Sequence, residues 1–231
     1  GLTLTGALAV DGGTVKLDGN FPVGTDNVAL GNNALDVVEA GGTNNIAIGD
    51  DSLKALTTGD NNTAVGYRSL KTAVTSLSNT AIGALALCTN TGGNNTAIGA
   101  NAMECNTSGG DNTAVGKQAN FKNTTGADNS SLGTLALKCN TTGSYNVAVG
   151  RDSLAANTTG TNNVAVGKDA LKTNVSGQQN VAIGVCALNA NTGYNNVAVG
   201  YQALDANIGG DSNVAVGLHS LLLNTTGNYN V

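Results

Sequence analysis

The stretch Asn163-Val164-Ala165-Val166-Gly167 returns seventeen residues later as Asn180-Val181-Ala182-Ile183-Gly184. The same phrase (Asn, a small or β-branched residue, Ala, an aliphatic residue, Gly) begins at Asn27, Asn45, Asn62, Asn79, Asn95, Asn112, Asn129, Asn146, Asn163, Asn180, Asn196 and Asn213, and a thirteenth copy starts at Asn230. Successive spacings are 16, 17 or 18 residues. That is too regular for chance and too short for a two-helix repeat. One phrase with its connector is therefore one coil of a solenoid, and the chain is a single stack rather than the one or two globular domains its 231 residues would otherwise suggest.

With each Asn counted as position zero, the coil has a fixed cross-section. Position two is Ala except at Ser131, position three is always aliphatic, position four is always Gly, position seven is Ala or Ser, and position eight is Leu except at Met103 and Asn120. A short β-branched segment closed by Gly reads as a strand ending in a tight turn. Alternation puts positions one and three on one face and position two on the other. A lone solenoid buries only its inner face. An outward row of Val, Ile and Leu running twelve coils is thus expected to be a wall shared with a partner chain. The second half of most coils carries Asn-Thr-Thr-Gly or a close variant, as at 123–126, 140–143 and 157–160. Turn chemistry places it at an outer corner of the coil, where small length changes are tolerated. By this assignment Val149→Asp should be far more damaging than Thr158→Asp.

The fold class expected is all-β, a parallel β-solenoid (β-roll) of about 17-residue coils. Residues 1–22 lack the phrase but alternate Leu2/Leu4, Leu8/Val10 and Val15/Leu17 around Gly-rich turns; they read as a β cap or connector leading into the solenoid of residues 23–231. A chain starting at Gly1 and stopping inside a thirteenth phrase at Val231 is expected to be part of something longer.

Composition narrows function by exclusion. Charged residues are 11% of the chain, against roughly 25% in ordinary domains. The net charge of −5 comes with no run of either sign, so no nucleic-acid or anionic-membrane footprint is expected. No apolar stretch has membrane-helix length. The four cysteines Cys88, Cys105, Cys139 and Cys186 make no CxxC or Cys/His spacing and read as free thiols. His219 is the only histidine, in a turn beside Ser220, and reads as an exposed turn residue. Gly116-Lys117 and Gly167-Lys168 run into Gln118 and Asp169 rather than the Ser or Thr of a phosphate loop. Asp50, Asp51 and Asp60 lie near one coil, but the glycine-aspartate nonapeptide of calcium rolls is absent; solvated turn carboxylates are the expectation. Glu39 and Glu104, the only glutamates, lie four coils apart, unlike the grouped carboxylates of a polysaccharide-cleaving β-helix. Nine Asn-x-Ser/Thr sequons, among them Asn123, Asn140 and Asn157, follow from the repeated turns. The five tyrosines are scattered in or beside turns, without a sugar-stacking platform. No catalytic, cofactor-binding or metal residue is assigned, and no enzyme is expected.

The phrases NVAVG, NVAIG and NTAIG, with the Ala-Leu step and variable outer loop, resemble the head repeats of trimeric autotransporter adhesins. More closely, they resemble the NTTG-containing repeats of phage tail-fibre proteins and related bacterial surface fibres. The similarity spans about residues 24–231. It implies a left-handed parallel β-roll and a homotrimer of this chain with two identical copies. It also implies the role of a shaft in a receptor-binding fibre: a phage tail fibre on the virion, or alternatively an adhesin or extracellular fibre at the bacterial surface. The host-surface receptor would be engaged through regions outside this stretch. The adhesin heads use a shorter coil, and neither a membrane anchor nor a self-cleaving chaperone domain occurs here. A single-chain ice-binding solenoid using Thr124, Thr141 and Thr158 is the competing reading; ice binders generally need flat Thr faces, and these Thr lie in length-variable turns.

Overall fold

The computed structural model describes residues 26–38 and 42–231; the expected cap at 1–22 and Glu39 lie outside the described residues. Twelve three-residue strands occupy positions one to three of the coils: β1 (Val28–Leu30), β2 (Ile46–Ile48), β3 (Thr63–Val65), β4 (Thr80–Ile82), β5 (Thr96–Ile98), β6 (Thr113–Val115), β7 (Ser130–Leu132), β8 (Val147–Val149), β9 (Val164–Val166), β10 (Val181–Ile183), β11 (Val197–Val199) and β12 (Val214–Val216). They form one parallel sheet in sequence order. The register aligns like with like: Ala148 pairs Ala165, which pairs Ala182, which pairs Ala198. The chain is a parallel β-solenoid, and eleven steps of about 4.8 Å make the sheet about 53 Å tall.

Hydrogen bonding between coils continues well beyond the strands. Val147 N–H donates to Asn163 O at 2.8 Å, Leu154 N–H to Ala170 O at 3.0 Å and Thr141 N–H to Thr158 O at 2.9 Å, while Gly150 N–H reaches back to Leu132 O at 2.8 Å. Within a coil there are chiefly two turn bonds, such as Ala170 N–H to Gly167 O and Asn174 N–H to Leu171 O. A single coil therefore leaves most of its backbone unsatisfied, and the stack is the smallest stable unit.

The interior beside the sheet is lined by small and aliphatic side chains. Position-two Ala, such as Ala148 and Ala165, faces inward and is fully buried, as are position-eight leucines such as Leu154 and Leu171. Positions seven and eight are adjacent in sequence, yet Ala170 and Leu171 are both fully buried. Extended backbone would send them to opposite faces. The alternation is broken by left-handed residues on either side: Asp169 at φ 59° and Leu171 at φ 49°, with Asn162 at φ 58° turning the chain into the next coil. Each coil thus holds three non-glycine residues in a conformation costing about 1–2 kcal/mol, sustained because the neighbouring coils impose it.

The Asn-Thr-Thr-Gly segment differs from expectation. It forms a corner, but its Asn and Gly face inward. Asn123, Asn140 and Asn157 are fully buried, and the same slot holds Val38, Leu56 and Ala73 in the first three coils, all buried. Most corner amides donate to the Asn below and to their own glycine: Asn140 Nδ2 to Asn123 Oδ1 at 2.8 Å and to Gly143 O at 2.9 Å. A second ladder is built on position zero, where Asn146 N–H and Nδ2 both donate to Asn129 Oδ1 and Nδ2 also donates to Gly160 O. Gly160 O accepts from Asn157 Nδ2 as well, so both ladders meet on one carbonyl that closes the coil. Only the Thr pair faces outward.

Strand-end glycines cannot carry a side chain. Gly167 sits at φ 137°, and a Cβ there would lie 2.4 Å from Gly184 O, whereas a Cβ on Gly209 would meet nothing within 4 Å and needs no positive φ. Gly167→Ala is expected to cost about 2–4 kcal/mol and Gly209→Ala to be neutral within about 0.5 kcal/mol. Thermal denaturation of the two variants, with equal melting temperatures as the refuting result, checks this.

Candidate functional site

The feature that most sets this surface apart is the outer face of the sheet. Every position-three side chain points away from the core: Leu132 is 52% and Ile183 42% exposed, and Val149 and Val166 are half-buried. Position one joins it in a second outward row. The position-three row is aliphatic along all twelve strands, a continuous strip of the kind that marks an interaction surface. The Ala row between them faces inward, as alternation requires.

The remaining candidates are dispersed by the coil geometry. His219 stacks tilted on Tyr201, ring centroids 5.6 Å apart, and contacts Gln202 Oε1 at 3.1 Å. Ser220 Oγ donates to Gly217 O, so neighbouring His219 and Ser220 have separate partners. Cys88, Cys105, Cys139 and Cys186 are free and partly exposed. Burial, chiefly, pushes the Cys88, Cys105 and Cys186 thiols above their usual range, opposite to what an activated nucleophile needs.

Among the acids, Asp51 is held at a pKa of about 2 by hydrogen bonds first from Lys54 and then from Asn33. Arg68 at 3.5 Å and Lys71 at 3.7 Å complete a ring of cations around it. Asp60 Oδ1 accepts from both N–H and Oγ1 of Thr43. These two carboxylates are thus engaged with different partners, and no group of three or more His, Cys, Asp or Glu is gathered for a metal among the described residues. Asp169 is lowered in the same way, by Lys172 foremost.

The Thr residues of the competing ice-binding reading are fasteners. Thr124, Thr141 and Thr158 each donate Oγ1 to the carbonyl stacked on it in the next coil, at 2.9, 3.0 and 3.1 Å. Seven of the nine sequon asparagines (Asn106, Asn123, Asn129, Asn140, Asn157, Asn174 and Asn224) are ladder members whose amides donate internally. Asn61 and Asn94 alone are exposed.

Two arrangements escape a linear reading. All nine described Lys and Arg fall at positions five to ten, whereas the wall from position eleven to the next Asn carries Asp60, Asp111, Asp128 and Asp211 and no cation. A 17-residue spacing hides this sorting, since residues of one wall are never neighbours in sequence. The tyrosines, scattered in sequence, all border the outward strip: Tyr67 and Tyr201 follow its closing Gly, and Tyr145, Tyr194 and Tyr229 lie just before an opening Asn. All five are exposed.

One core position is at odds with its surroundings. Asn120 stands in the leucine row, fully buried, with neither side-chain oxygen nor nitrogen partnered. In the next coil Ser131 replaces the inward Ala. The apolar core accordingly falls into two clusters, one ending at Ala119 and the other starting at Ala136, while the strand ladder runs through unbroken.

Compared with known proteins, the chain matches no family model, no curated protein and no solved structure.

An unpaired buried amide costs about 1–3 kcal/mol, so Asn120→Leu is expected to stabilise the chain by a similar amount. A chemical-denaturation midpoint that falls instead of rising would show that the Asn120 amide has a partner.

Proposed function

We propose that this chain is the shaft of a trimeric receptor-binding fibre, a left-handed β-roll in which three copies bring their outward strips together around a common axis. The observation that carries the reading is the aliphatic strip itself: a folded single chain leaves Val, Ile and Leu exposed on strand after strand, and self-association through identical strips removes all of them from water at about 25 cal/mol per Å². The resemblance of the NVAVG repeats to trimeric autotransporter adhesin heads supplies the number three and the handedness, and that of the NTTG repeats to phage tail fibres supplies the placement on a virion. The solenoid fold is compatible with these and is equally compatible with a bacterial surface fibre.

In this reading the chemistry is mechanical. Backbone and asparagine ladders give stiffness along the axis, and identical coils give length. Host attachment falls to regions outside this stretch, because a corner repeated at every level is a spacer rather than a shaped site.

Sedimentation of the folded chain is expected to report three times 22.7 kDa. Val149→Asp places a charge in each of three packed strips and is expected to abolish the trimer while each chain stays folded. Thr158→Asp changes only an outer corner and leaves the trimer intact. A wild-type chain that is monomeric at all concentrations, or equal effects of the two substitutions, would sink the reading.

A further inference from the structure

The outward strip is not uniform. In β3 to β7 position one is Thr63, Thr80, Thr96, Thr113 and Ser130, so one of the two outward rows is hydroxylated. In β8 to β11 it is Val147, Val164, Val181 and Val197, beside Val149, Val166, Ile183 and Val199, and both rows are aliphatic.

The borders change at the same level. The pair of residues before the opening Asn of β8 to β11 is Ser144-Tyr145, Thr161-Asn162, Gln178-Gln179 and Tyr194-Asn195, without a charge, whereas β3, β6 and β7 are preceded by Asp60, Asp111 and Asp128. On the other border Val185 and Tyr201 follow β10 and β11, and the two cations there, Arg151 and Lys168, are each paired with an adjacent Asp at 3.1 and 3.0 Å. Three of the five tyrosines, Tyr145, Tyr194 and Tyr201, border these four strands. β1, β2 and β12 are also aliphatic in both rows, but Asp26, Asp50 and Asp211 flank them.

Depletion of charge at the centre, with tyrosine at its margin, is the composition of a protein-protein interface core. We infer that β8 to β11 are the seat of self-association: copies of this chain bind one another through these four strands, and the hydroxylated β3 to β7 face takes part without supplying affinity. The inference rests on the strip being a self-association surface at all. Size sets its scope. Four strands about 4.8 Å apart, each bordered over some seven residues, present on the order of 450 Å², below the roughly 800 Å² per partner of a standard interface. The seat therefore starts and holds the contact, and the rest of the strip completes its area.

The test replaces Val164, Val181 and Val197 together by Thr, the near-isosteric residue that already occupies this row in β3 to β6, and compares this set with Thr80→Ala, Thr96→Ala and Thr113→Ala in the full chain. All six side chains point outward, and far-ultraviolet circular dichroism verifies that each set keeps the fold. By sedimentation equilibrium the Val set is expected to weaken self-association at least about 30-fold and the Thr set to change it less than about threefold. Weakening under threefold by the Val set, or equal weakening by both, would overturn the assignment while leaving a self-associating fibre standing. A monomeric wild type would overturn the fibre reading and the seat with it.

Discussion

Everything in this stack depends on a buried asparagine amide having another asparagine directly below it. A buried primary amide is costly unless its donors and acceptor are all used. Here Asn146 finds Asn129 Oδ1 on one side and Gly160 O on the other, and in turn offers its own oxygen to Asn163. Gly160 belongs to the same coil, but the bonds with Asn129 and Asn163 exist only when the adjoining coils are in register, so each coil dictates the placement of the next. Aliphatic packing alone would not do this, because Val and Ile tolerate a slipped neighbour far better than a hydrogen-bonded amide does.

The same ladders explain which length changes the coil accepts. Where a connector is one residue short, the bonding is exchanged: Asn95 Nδ2 turns to Asn90 Oδ1, and Asn196 Nδ2 turns to Asn191 Oδ1. The strands on either side keep their pairing. Asn174 Oδ1 bears the cost, being left without a donor where the corner ladder skips to Asn191.

Much of the fold was legible in the sequence because a period of two shows inside each phrase and a period of about seventeen shows between phrases. Inward Ala148, outward Val149 and the obligatory Gly150 could all be placed from these. The inward turn of Asn140 could not. Asn beside Thr and Gly in a corner is ordinary surface-turn chemistry, and only the stacking of identical corners makes its burial favourable. Leu171 in a left-handed conformation was equally hidden, since nothing local favours it. The outward strip was legible as a face, but its change in character between Ser130 and Val147 emerges only when strands are compared level by level.

The burial of the sequon asparagines bears on where such a chain can be made. Asn123, Asn140 and Asn157 sit in acceptor sequences that a glycosylating secretory pathway reads on the growing, still extended polypeptide. A glycan attached there would replace one of the two Nδ2 hydrogens that must later donate to the Asn below and to the corner glycine, as Asn140 does, and would have to fit inside a lumen already filled by leucine. The repeat that gives this stack its register therefore requires these asparagines to be left bare until the coils have closed.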